Sequence, residues 1–461
     1  MPSKIAIAGA GISGLATAYA LKQRGHDVVV YEAQKRAGGP VHTIERDGYL
    51  VETGPHTLLV RHRAVAELLR ELGLDPMIVE ANSTASKRFV VSDGAPIALP
   101  MSPTEFATTS LLSPAGRLRI LAEPFVGRFD KEGVDEPLAH FIRRRLGAEA
   151  LDYLVDPFVG GIWAGDPRRL SARHTFGTLT EFEESAGSIA LGAIKKRLLD
   201  GPDEATTISR RLISFKGGMK TLIDALTDHL GEALRLDSPV RKLRRDDDEW
   251  RVIFERGRAR RGESFDAVVL TLPTQALADL EWENAATPPG AMDELCRVNH
   301  APCCVVSLGF DRHDVGHPLD GFGVLVPRVE QFHILGALFV SSMFDGRAPE
   351  GRVNLSAFVG GARQPELFDH DDEAILDLAC RDLGELLDID GPPHFTHITR
   401  WKRAIPQYEV GHQVVLDRIE ELETHLPDIY FAGNYRDGIS IPDLLQSGQR
   451  HAQAIDETLR R

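Results

Sequence analysis

The chain has 461 residues, of which 43% are hydrophobic and 26% charged, and its formal net charge is −15. This length is typical of two or three domains, and the composition is typical of an ordinary soluble protein with a sizeable core. The negative charge argues against nucleic acid as a partner and against electrostatic attachment to an anionic lipid surface, since no basic patch offsets it.

The cysteine pattern and the first residues bear on where the protein works. The cysteines are Cys296, Cys303, Cys304 and Cys380, and none of them forms a CxxC pair. A strand-like run begins at once, so we expect no signal peptide, and no apolar run approaches the ~18 residues that a membrane-spanning helix needs. These features predict a reducing, cytoplasmic compartment without a disulfide framework.

The histidines are scattered, and none suggests a metal. The closest approach to metal-ligand spacing is His394 and His397, which fall in an alternating, strand-like run. We therefore expect no metal site there.

A glycine-rich turn near the start of the chain separates a short apolar run from a helix-forming run. Its residues are Gly9, Ala10, Gly11, Ile12, Ser13 and Gly14. In a dinucleotide fingerprint the first glycine permits a tight turn, the second lets backbone approach a pyrophosphate, and the third lets helix and strand pack closely. The free N–H groups at the helix start favour phosphate oxygens. The order strand, turn, helix predicts a Rossmann-like nucleotide site rather than a turn that binds nothing.

The residues after this turn favour one dinucleotide over another. Glu32 ends the second predicted strand, about 20 residues beyond the turn, where an acid accepts from both hydroxyls of an unphosphorylated ribose. This leaves NAD or FAD. A second glycine turn at Gly38–Gly39 and the segment Glu52–Thr57 follow soon after. Because a ribityl chain and a flavin ring need close backbone along their length, we interpret the ligand as FAD.

The rest of the chain predicts three kinds of segment. Ser102–Glu105, Ser113–Pro114 and Glu136–Pro137 are typical helix starts, so the stretch from about 103 to 187 is predicted to be helical. Alternating apolar runs predict a hairpin over 87–99 and an antiparallel sheet over 274–404.

Other runs predict a return to the nucleotide domain. Helices are expected at 64–72, at 220–229 and from Pro442 onward. Strands are expected at 234–243, 250–256, 264–271 and 429–434. The amino end of the last helix is a candidate partner for the flavin N1–C2=O edge, although it could also simply pack on the sheet.

The predicted fold is therefore α/β, with a Rossmann-like FAD-binding domain, an antiparallel-sheet substrate domain and an inserted helical domain. The FAD-binding pieces are residues 1–80, 214–273 and 405–461. The substrate domain comprises residues 81–102, 188–213 and 274–404, and the helical domain comprises residues 103–187.

Several longer motifs are distributed along the whole chain. They are Asp156–Gly161, Gly165–Pro167, Leu170–Ser171, Pro318–Pro327, Phe358–Gly361, Ile405–Tyr408 and Gly411–His412. With them the chain resembles, from end to end, the oxygen-dependent protoporphyrinogen oxidases, flavoproteins related to the amine oxidases and phytoene desaturases. The fingerprint and Glu52–Pro55 are common to all three groups and do not discriminate among them.

The resemblance implies a set of cofactor contacts. They are Gly9 to Gly14, Glu32, Gly54, Pro55, His56, Thr57, Val240, Ile439, Ser440 and Ile441. His42 and His56 stand where many relatives have arginine or asparagine, so hydrogen bonding near the cofactor differs there. No cysteine follows Cys380, so the resemblance implies non-covalent FAD.

The resemblance also implies a substrate site. Arg88 matches an arginine that pairs with a propionate, Gly161 matches a backbone contact at the pocket wall, and five further residues match those that sandwich the tetrapyrrole. These five are Phe322, Gly323, Leu325, Leu338 and Phe358. A porphyrinogen is a broad apolar ring with carboxylates, so apolar walls and a planar cation suit it. Taken alone, Arg88 would be a surface ion pair and the apolar residues would be core.

The implied activity is oxidation of protoporphyrinogen IX to protoporphyrin IX in haem biosynthesis, with molecular oxygen as acceptor and hydrogen peroxide as product. No residue need act as nucleophile or metal ligand, because the protein supplies orientation and water exclusion. The family also suggests peripheral contact of the helical domain with the inner face of the cell membrane, through apolar side chains here, as well as a ferrochelatase partner and a homodimer.

Three alternatives stay open at this point. A coproporphyrinogen III oxidase that forms coproporphyrin III would need more cations around its pocket than Arg88. A non-catalytic flavoprotein could bind tetrapyrrole as a carrier or scaffold. An amine oxidase is disfavoured, because no aromatic-cage signature accompanies the tetrapyrrole motifs.

Overall fold

The computed structural model describes residues 2–127, 134–199, 211–285 and 291–460. The strands are β1 Lys4–Ala8, β2 Asp27–Tyr31, β3 Thr43–Arg46, β4 Tyr49–Glu52, β5 Leu58–Val60, β6 Ile78–Glu80, β7 Lys87–Ser92, β8 Ala95–Ala98, β9 Arg211–Phe215, β10 Leu234–Arg235, β11 Val240–Asp246, β12 Glu249–Arg256, β13 Ala259–Phe265, β14 Ala267–Leu270, β15 Glu281–Glu283, β16 His300–Asp311, β17 Gly321–Leu325, β18 Ile334–Phe339, β19 Arg352–Gly360, β20 Phe395–Pro406 and β21 Ile429–Phe431.

The α-helices are α1 Ile12–Gln23, α2 Arg63–Glu71, α3 Pro103–Thr108, α4 Pro114–Leu121, α5 Leu138–Arg145, α6 Ala148–Ala150, α7 Asp156–Trp163, α8 Ala172–Thr175, α9 Gly177–Ala186, α10 Ile189–Leu199, α11 Lys220–Leu230, α12 Thr274–Ala278, α13 Ala291–Leu295, α14 Val340–Met343, α15 Asp372–Leu387, α16 His412–His425 and α17 Ile441–Leu459. A π-helical turn over Leu151–Val155 lies between α6 and α7. Within the described part of the chain, no helix combines the length and the apolar character needed to cross a bilayer.

A five-stranded parallel sheet has the order β10-β2-β1-β14-β21, and we name it the parallel sheet. Its central strands β1 and β14 are almost wholly buried, which is why they are continuous apolar runs. Helices α1 and α17 pack against each other so closely that a Cβ on Gly448 would lie 2.7 Å from the Ala16 side chain. The predicted strand–turn–helix–strand unit is confirmed. The predicted return of 264–271 to this sheet is confirmed for Ala267–Leu270, whereas Ser264 and Phe265 end β13, which lies in another sheet.

The prediction of a single strand over 234–243 is wrong. β10 ends at Arg235 beside β2, whereas β11 begins at Val240 in a four-stranded sheet of order β13-β12-β11-β15. Asp237 adopts a positive φ of 50° and Pro239 follows closely, so the chain turns between the two strands.

A seven-stranded sheet has the order β20-β16-β19-β18-β17-β7-β8, and we name it the large sheet. Its pairs are antiparallel except β17 with β7. The predicted hairpin over 87–99 is confirmed as β7 and β8. On one face of the sheet, Cys304, Val306 and Leu355 pack with Ile375 and Leu383 of α15. Helix α15 does not cover the opposite face of the large sheet, so that face is available for a binding site.

The helical stretch forms as predicted, with one correction at a helix start. The side chains of Ser102 and Ser113 cap α3 and α4 by accepting from the backbone N–H groups of Glu105 and Gly116. Pro137, in contrast, occupies the N-cap position of α5 rather than its first turn. Residues 128–133 of the predicted helical domain lie outside the described residues.

Residues 188–213 do not join the large sheet, contrary to the prediction. Their first part forms α10, which packs so tightly on α9 that a Cβ on Gly192 would lie 2.5 Å from Phe182. The end of the segment enters β9, which pairs with β5 and β6 in a three-stranded sheet. Residues 200–210 lie outside the described residues. The helical region therefore extends at least to Leu199.

The first residues of the predicted substrate-domain piece 274–404 also do not belong to the large sheet. β15 pairs in parallel with β11 of the four-stranded sheet, and α13 contributes Leu295 to the core beneath it. Residues 286–290 lie outside the described residues. The antiparallel part of this piece begins with β16 at His300.

Candidate cofactor and substrate site

The glycine-rich turn has the geometry that its sequence predicts. Gly9 has a φ of +106°, and a Cβ on Gly14 would lie 2.0 Å from the Gly9 carbonyl oxygen, so the turn tolerates no side chain at either position. A Cβ on Gly11, in contrast, would meet no atom within 4 Å. Open space at Gly11 is what a ligand that approaches the backbone requires.

The amino end of α1 is free to bind an anion. Gly11 is its N-cap, no side chain caps it, and its first turn carries no acid. The first N–H groups of a helix lack intrahelical partners and carry a partial positive charge. The turn and the helix end together fit a pyrophosphate.

Glu32 lies directly beside the turn. Its Oε2 accepts from the backbone N–H of Ala10 at 2.8 Å, and its Oε1 accepts from the N–H of Gln34 at 2.8 Å. A carboxylate offers about four lone-pair sites, so acceptor capacity remains for ribose hydroxyls. The structure therefore places Glu32 where the fingerprint predicts an acid.

The second glycine turn packs on the first, and it brings a cation that the sequence analysis missed. The Gly38 N–H donates to the Ala10 carbonyl at 2.8 Å. Arg36 donates from Nη1 to the Gly39 carbonyl at 2.7 Å, and burial lowers the pKa of its guanidinium. The sequence feature that could have predicted this cation is an arginine two residues before the glycine pair Gly38–Gly39. Its charge lies at the edge of the predicted phosphate site.

The segment Gly54–Thr57 contacts both the second glycine turn and the large sheet: a Cβ on Gly54 would lie 2.5 Å from the Pro40 carbonyl oxygen, and His56 contacts β19. His56 is 6% exposed, and its Nε2 lies 2.9 Å from the Ser356 hydroxyl of β19. Its ring meets Phe358 edge to face at 5.8 Å. Burial lowers the pKa of His56 to about 4, so the imidazole is neutral. The side chain of His56 thus points to the predicted substrate side, a contact that sequence spacing could not reveal.

Glu52, at the end of β4, is a second buried titratable group in this region. Its carboxylate accepts from the Met219 N–H at 2.8 Å and from the Thr43 hydroxyl at 2.7 Å. Burial raises its pKa to about 7. Arg347 is 2% exposed and donates to the Ser214 hydroxyl and the Phe215 carbonyl. These groups join β3, β4 and β9 to the connection before β19.

The remaining predicted cofactor residues lie around the same junction. Val240 is half-buried at the start of β11 and packs against the core beneath the parallel sheet. Ile439 packs with the helical region and Ile441 packs with the core around α1. Ser440 caps α17, because its side chain accepts from the Asp443 N–H. The predicted contacts at 439–441 therefore occupy the start of α17.

The structure places four predicted substrate residues on one face of the large sheet. Gly323 of β17 is paired with Leu338 of β18, and Gly336, which precedes Leu338 by two positions, is paired with Leu325 and with Phe358 of β19. Cross-strand partners and alternate residues of a strand point to the same side. This face is opposite to the one that α15 covers.

Three further predicted residues complete the same region. A Cβ on Gly161 of α7 would lie 2.4 Å from the Leu325 side chain, so α7 lies directly over this face. Phe322 packs in one cluster with Leu338. The guanidinium carbon of Arg88 lies 5.6 Å from the centre of the Phe322 ring. The structure thus brings all seven predicted substrate residues together.

The exposure of these side chains shows an opening above the sheet. Phe322, Leu325, Leu338 and Phe358 are each half-buried, although their neighbours along the strands are buried. Arg88 is exposed at the edge, and within the described part of the chain it forms no ion pair, whereas Lys87 pairs with Asp320. The surface-ion-pair interpretation of Arg88 is therefore not supported. The arrangement can hold a broad apolar molecule that carries an anionic group at one edge.

Comparison with known proteins assigns the chain to a family. Residues 12–456 match the family described as "Flavin containing amine oxidoreductase". The mitochondrial protoporphyrinogen oxidase of Nicotiana tabacum is 35% identical over 477 residues, which cover 98% of this chain and 94% of that protein. A coproporphyrinogen III oxidase of Staphylococcus aureus is 29% identical over 474 residues, with 99% of both chains covered.

A solved structure agrees with these relatives. A protein of Exiguobacterium sp. 255-15, described as a candidate protoporphyrinogen oxidase, superimposes with a TM-score of 0.82 at 26% identity and with 99% of both chains covered. The protein is a flavin-dependent oxidoreductase, and the chain belongs to the flavin containing amine oxidoreductases, in the branch of the protoporphyrinogen oxidases that its motifs predict.

Proposed function

We propose that the protein oxidises protoporphyrinogen IX to protoporphyrin IX, with non-covalent FAD as cofactor and molecular oxygen as acceptor. One hydrogen peroxide leaves for each pair of hydrogens removed. The observation that carries this proposal is the half-buried apolar face of the large sheet with unpaired Arg88 at its edge. The similarity to protoporphyrinogen oxidases over almost the whole chain supports the same substrate.

The described residues fit FAD. The open space at Gly11, the uncapped start of α1 and the carboxylate of Glu32 suit its pyrophosphate and its adenosine ribose. Bound FAD would accept the hydrogen removed from a ring methylene and pass it to oxygen.

The thiols support non-covalent binding. Cys303 and Cys304 are buried in β16, and burial raises the pKa of Cys303 to about 12. Cys380 lies on α15, on the far side of the large sheet, and burial raises its pKa to about 11. The thiols of Cys303 and Cys380 are therefore protonated at neutral pH, whereas the thiolate is the reactive form of cysteine.

The side chains of this chain bind, orient and exclude water. Leu325, Leu338 and Phe358 offer apolar surface to a tetrapyrrole, and burial of that surface drives binding. Arg88 offers a planar, permanently charged fork to a propionate at the edge. His56 is neutral and hydrogen-bonded to Ser356, so it adds no charge next to the apolar face.

The test compares two porphyrinogens on the purified protein by product fluorescence. We expect protoporphyrinogen IX to be oxidised faster than coproporphyrinogen III, because Arg88 is the unpaired cation identified beside the apolar face and a substrate with four carboxylates would need more. Faster oxidation of coproporphyrinogen III would overturn this choice of substrate. Under anaerobic conditions, protoporphyrinogen IX should bleach the flavin absorbance, and an unbleached flavin would overturn the enzymatic function.

A contact of the helical region with lipid belongs to the same proposal. Met101, Leu118, Leu121 and Phe125 are 64–91% exposed, and the first three line a groove of about 790 Å³ between α3 and α4. Clustered exposed apolar side chains mark interaction surfaces. Because the net charge is −15, the attachment is made by apolar rather than basic side chains. Its location in this proposal is the inner face of the cell membrane. A ferrochelatase partner and a homodimer stay predictions of the resemblance.

Flotation with vesicles of phosphatidylcholine and phosphatidylglycerol tests this contact. We expect binding that salt does not weaken, and its loss when Leu118 and Phe125 are both changed to serine. Val414→Ser, which removes an exposed apolar side chain from α16, is the matched control. Absence of wild-type binding at low and at high salt would contradict the lipid contact.

A further inference from the structure

Tyr408 occupies the connection between β20 and α16, at a point where three parts of the molecule meet. It is 6% exposed, and its backbone carbonyl accepts from the Ser171 N–H at 2.8 Å. The function proposed above gives it no role. Its side chain nevertheless contacts both the cofactor segment and the wall of the substrate pocket.

The hydroxyl of Tyr408 holds the loop that leads into α17. It donates to the Asn434 carbonyl and accepts from the Gly438 N–H at 3.0 Å. Gly438 has a φ of +99°, so the loop turns sharply there. The next residues are Ile439, Ser440 and Ile441, the predicted cofactor contacts. One hydroxyl therefore joins the two ends of the loop immediately before that segment.

The ring of Tyr408 contacts the pocket wall. It meets the Trp163 ring edge to face, with centroids 5.0 Å apart, and it stacks on His412 at 4.2 Å with an interplanar angle of 15°. Trp163 ends α7, the helix whose Gly161 lies against Leu325 of the large sheet. Burial lowers the pKa of His412 to about 4, so the stacked imidazole is neutral. Burial also raises the pKa of the Tyr408 hydroxyl, which therefore remains a hydrogen-bond donor at neutral pH.

We propose that Tyr408 is a positioning residue that sets the segment 439–441 against the flavin and fixes that segment relative to the pocket-wall helix α7. This inference rests on the proposed function. A hydrogen-bonded hydroxyl and a packed ring on one side chain together fix the distance between these two binding surfaces, which also touch where Ile439 packs with the helical region. The expected consequence is on the rate of hydrogen transfer, because small displacements of reacting groups lower rates strongly.

The chain offers a matched control. Tyr435 lies in the same loop and is 1% exposed, but its hydroxyl has no hydrogen-bond partner among the described residues. Tyr408→Phe and Tyr435→Phe each remove one oxygen from a buried ring. Only the first change removes hydrogen bonds to the loop.

The experiment measures anaerobic flavin reduction by protoporphyrinogen IX in single turnover, together with the visible circular dichroism of the bound flavin. Because Tyr408→Phe removes two hydrogen bonds, we expect it to lower the limiting reduction rate by about tenfold and to alter the circular dichroism. We expect it to leave the substrate dissociation constant within about twofold. Tyr435→Phe should leave all three quantities at wild-type values. Loss of FAD from Tyr408→Phe but not from Tyr435→Phe would also support the proposal.

A Tyr408→Phe protein with an unaltered limiting rate and unaltered flavin circular dichroism would overturn the proposal, even if its melting temperature fell. Trp163→Phe tests the second contact, because it keeps both hydroxyl bonds and reduces the ring contact. We expect a smaller loss of rate in the same direction, and an unchanged rate would overturn the connection to α7.

Flavin circular dichroism and the FAD dissociation constant need no tetrapyrrole. If the wild type failed to oxidise protoporphyrinogen IX, the proposed function would fall. The comparison of Tyr408→Phe with Tyr435→Phe in cofactor binding would still decide whether Tyr408 positions the flavin segment.

Discussion

The imidazole of His56 and the hydroxyl of Ser356 form a buried hydrogen bond of 2.9 Å between residues 300 positions apart in the chain. His56 belongs to a loop predicted to contact the cofactor, and Ser356 belongs to the face of the large sheet that holds the predicted substrate residues. The bond therefore joins the two halves of the site. It also buries a titratable group whose charge state affects stability.

The first prediction concerns Arg88. Arg88→Ala should lower kcat/KM for protoporphyrinogen IX roughly tenfold to a hundredfold, because a charge-assisted hydrogen bond contributes ~1.5–3 kcal/mol. Arg88→Lys should recover only part of this, since an ammonium cannot make the bidentate fork. Added salt should narrow the difference between wild type and Ala, because Arg88 is exposed.

Lys87→Ala is the matched control for Arg88. Lys87 precedes Arg88 on β7, and its ammonium pairs with Asp320. We expect its removal to leave kcat/KM nearly unchanged. If Arg88→Ala behaved like Lys87→Ala, Arg88 would bind no propionate.

The second prediction is a pH dependence of stability from His56. Its pKa falls from 6.5 to about 4 on folding, so between these values the unfolded chain binds the proton and the folded chain does not. Its contribution is therefore complete above the unfolded pKa and is lost as the pH falls toward the folded pKa, by at most ~3 kcal/mol.

His56→Gln tests this prediction by thermal melting between pH 8 and pH 4.5. We expect a shallower loss of stability toward acid than in the wild type. Some loss should remain, since the pKa of His412 also falls to about 4. Melting curves with the same acid slope in both proteins would show that His56 is not buried as described.

The third prediction has the opposite sign and concerns Glu52. Its pKa rises from 4.5 to about 7 on folding, so the folded chain holds a proton that the unfolded chain releases. This contribution is complete below the unfolded pKa and is lost as the pH rises through the folded pKa.

Glu52→Gln imitates the protonated carboxyl. Relative to wild type, its melting temperature should be similar near pH 5 and higher near pH 8.5. Glu45→Gln, an exposed change on the same β3–β4 hairpin, should track the wild type at both values. A lower melting temperature for Glu52→Gln at pH 8.5 would contradict a raised pKa.

The fourth prediction concerns the attachment of α10. Glu123 is 2% exposed, pairs with Arg145, which is 0% exposed, and accepts from the Ser188 hydroxyl and the N–H groups of Ile189 and Ala190. Glu123→Ala leaves Arg145 buried without this partner, a change that typically costs about 3–5 kcal/mol.

Hydrogen exchange read along the chain checks this attachment. We expect faster exchange of the α10 amides in Glu123→Ala, and little change in Glu184→Ala, which removes an exposed carboxylate of α9. Equal protection of α10 in the two variants would mean that Glu123 does not hold this helix.

The sequence by itself determined the local elements and the family. The turn at Gly9 and Gly14, the acid at Glu32, and the caps at Ser102 and Ser113 are short-range features whose sterics and hydrogen bonds act within a few residues. For that reason the predicted strand–turn–helix unit, the hairpin over β7 and β8 and the helical stretch all formed. The long motifs identified the family because they carry many residues at once.

Only the tertiary structure decided which elements pack together. Residues 188–199 belong to the helical region rather than to the predicted substrate domain, because buried Glu123 binds the start of α10. The tertiary structure divided the run 234–243 between two sheets at Asp237, and it paired His56 with Ser356. Sequence periodicity records which side of an element is apolar, but not which distant element covers it, because that choice depends on the packing of the whole chain.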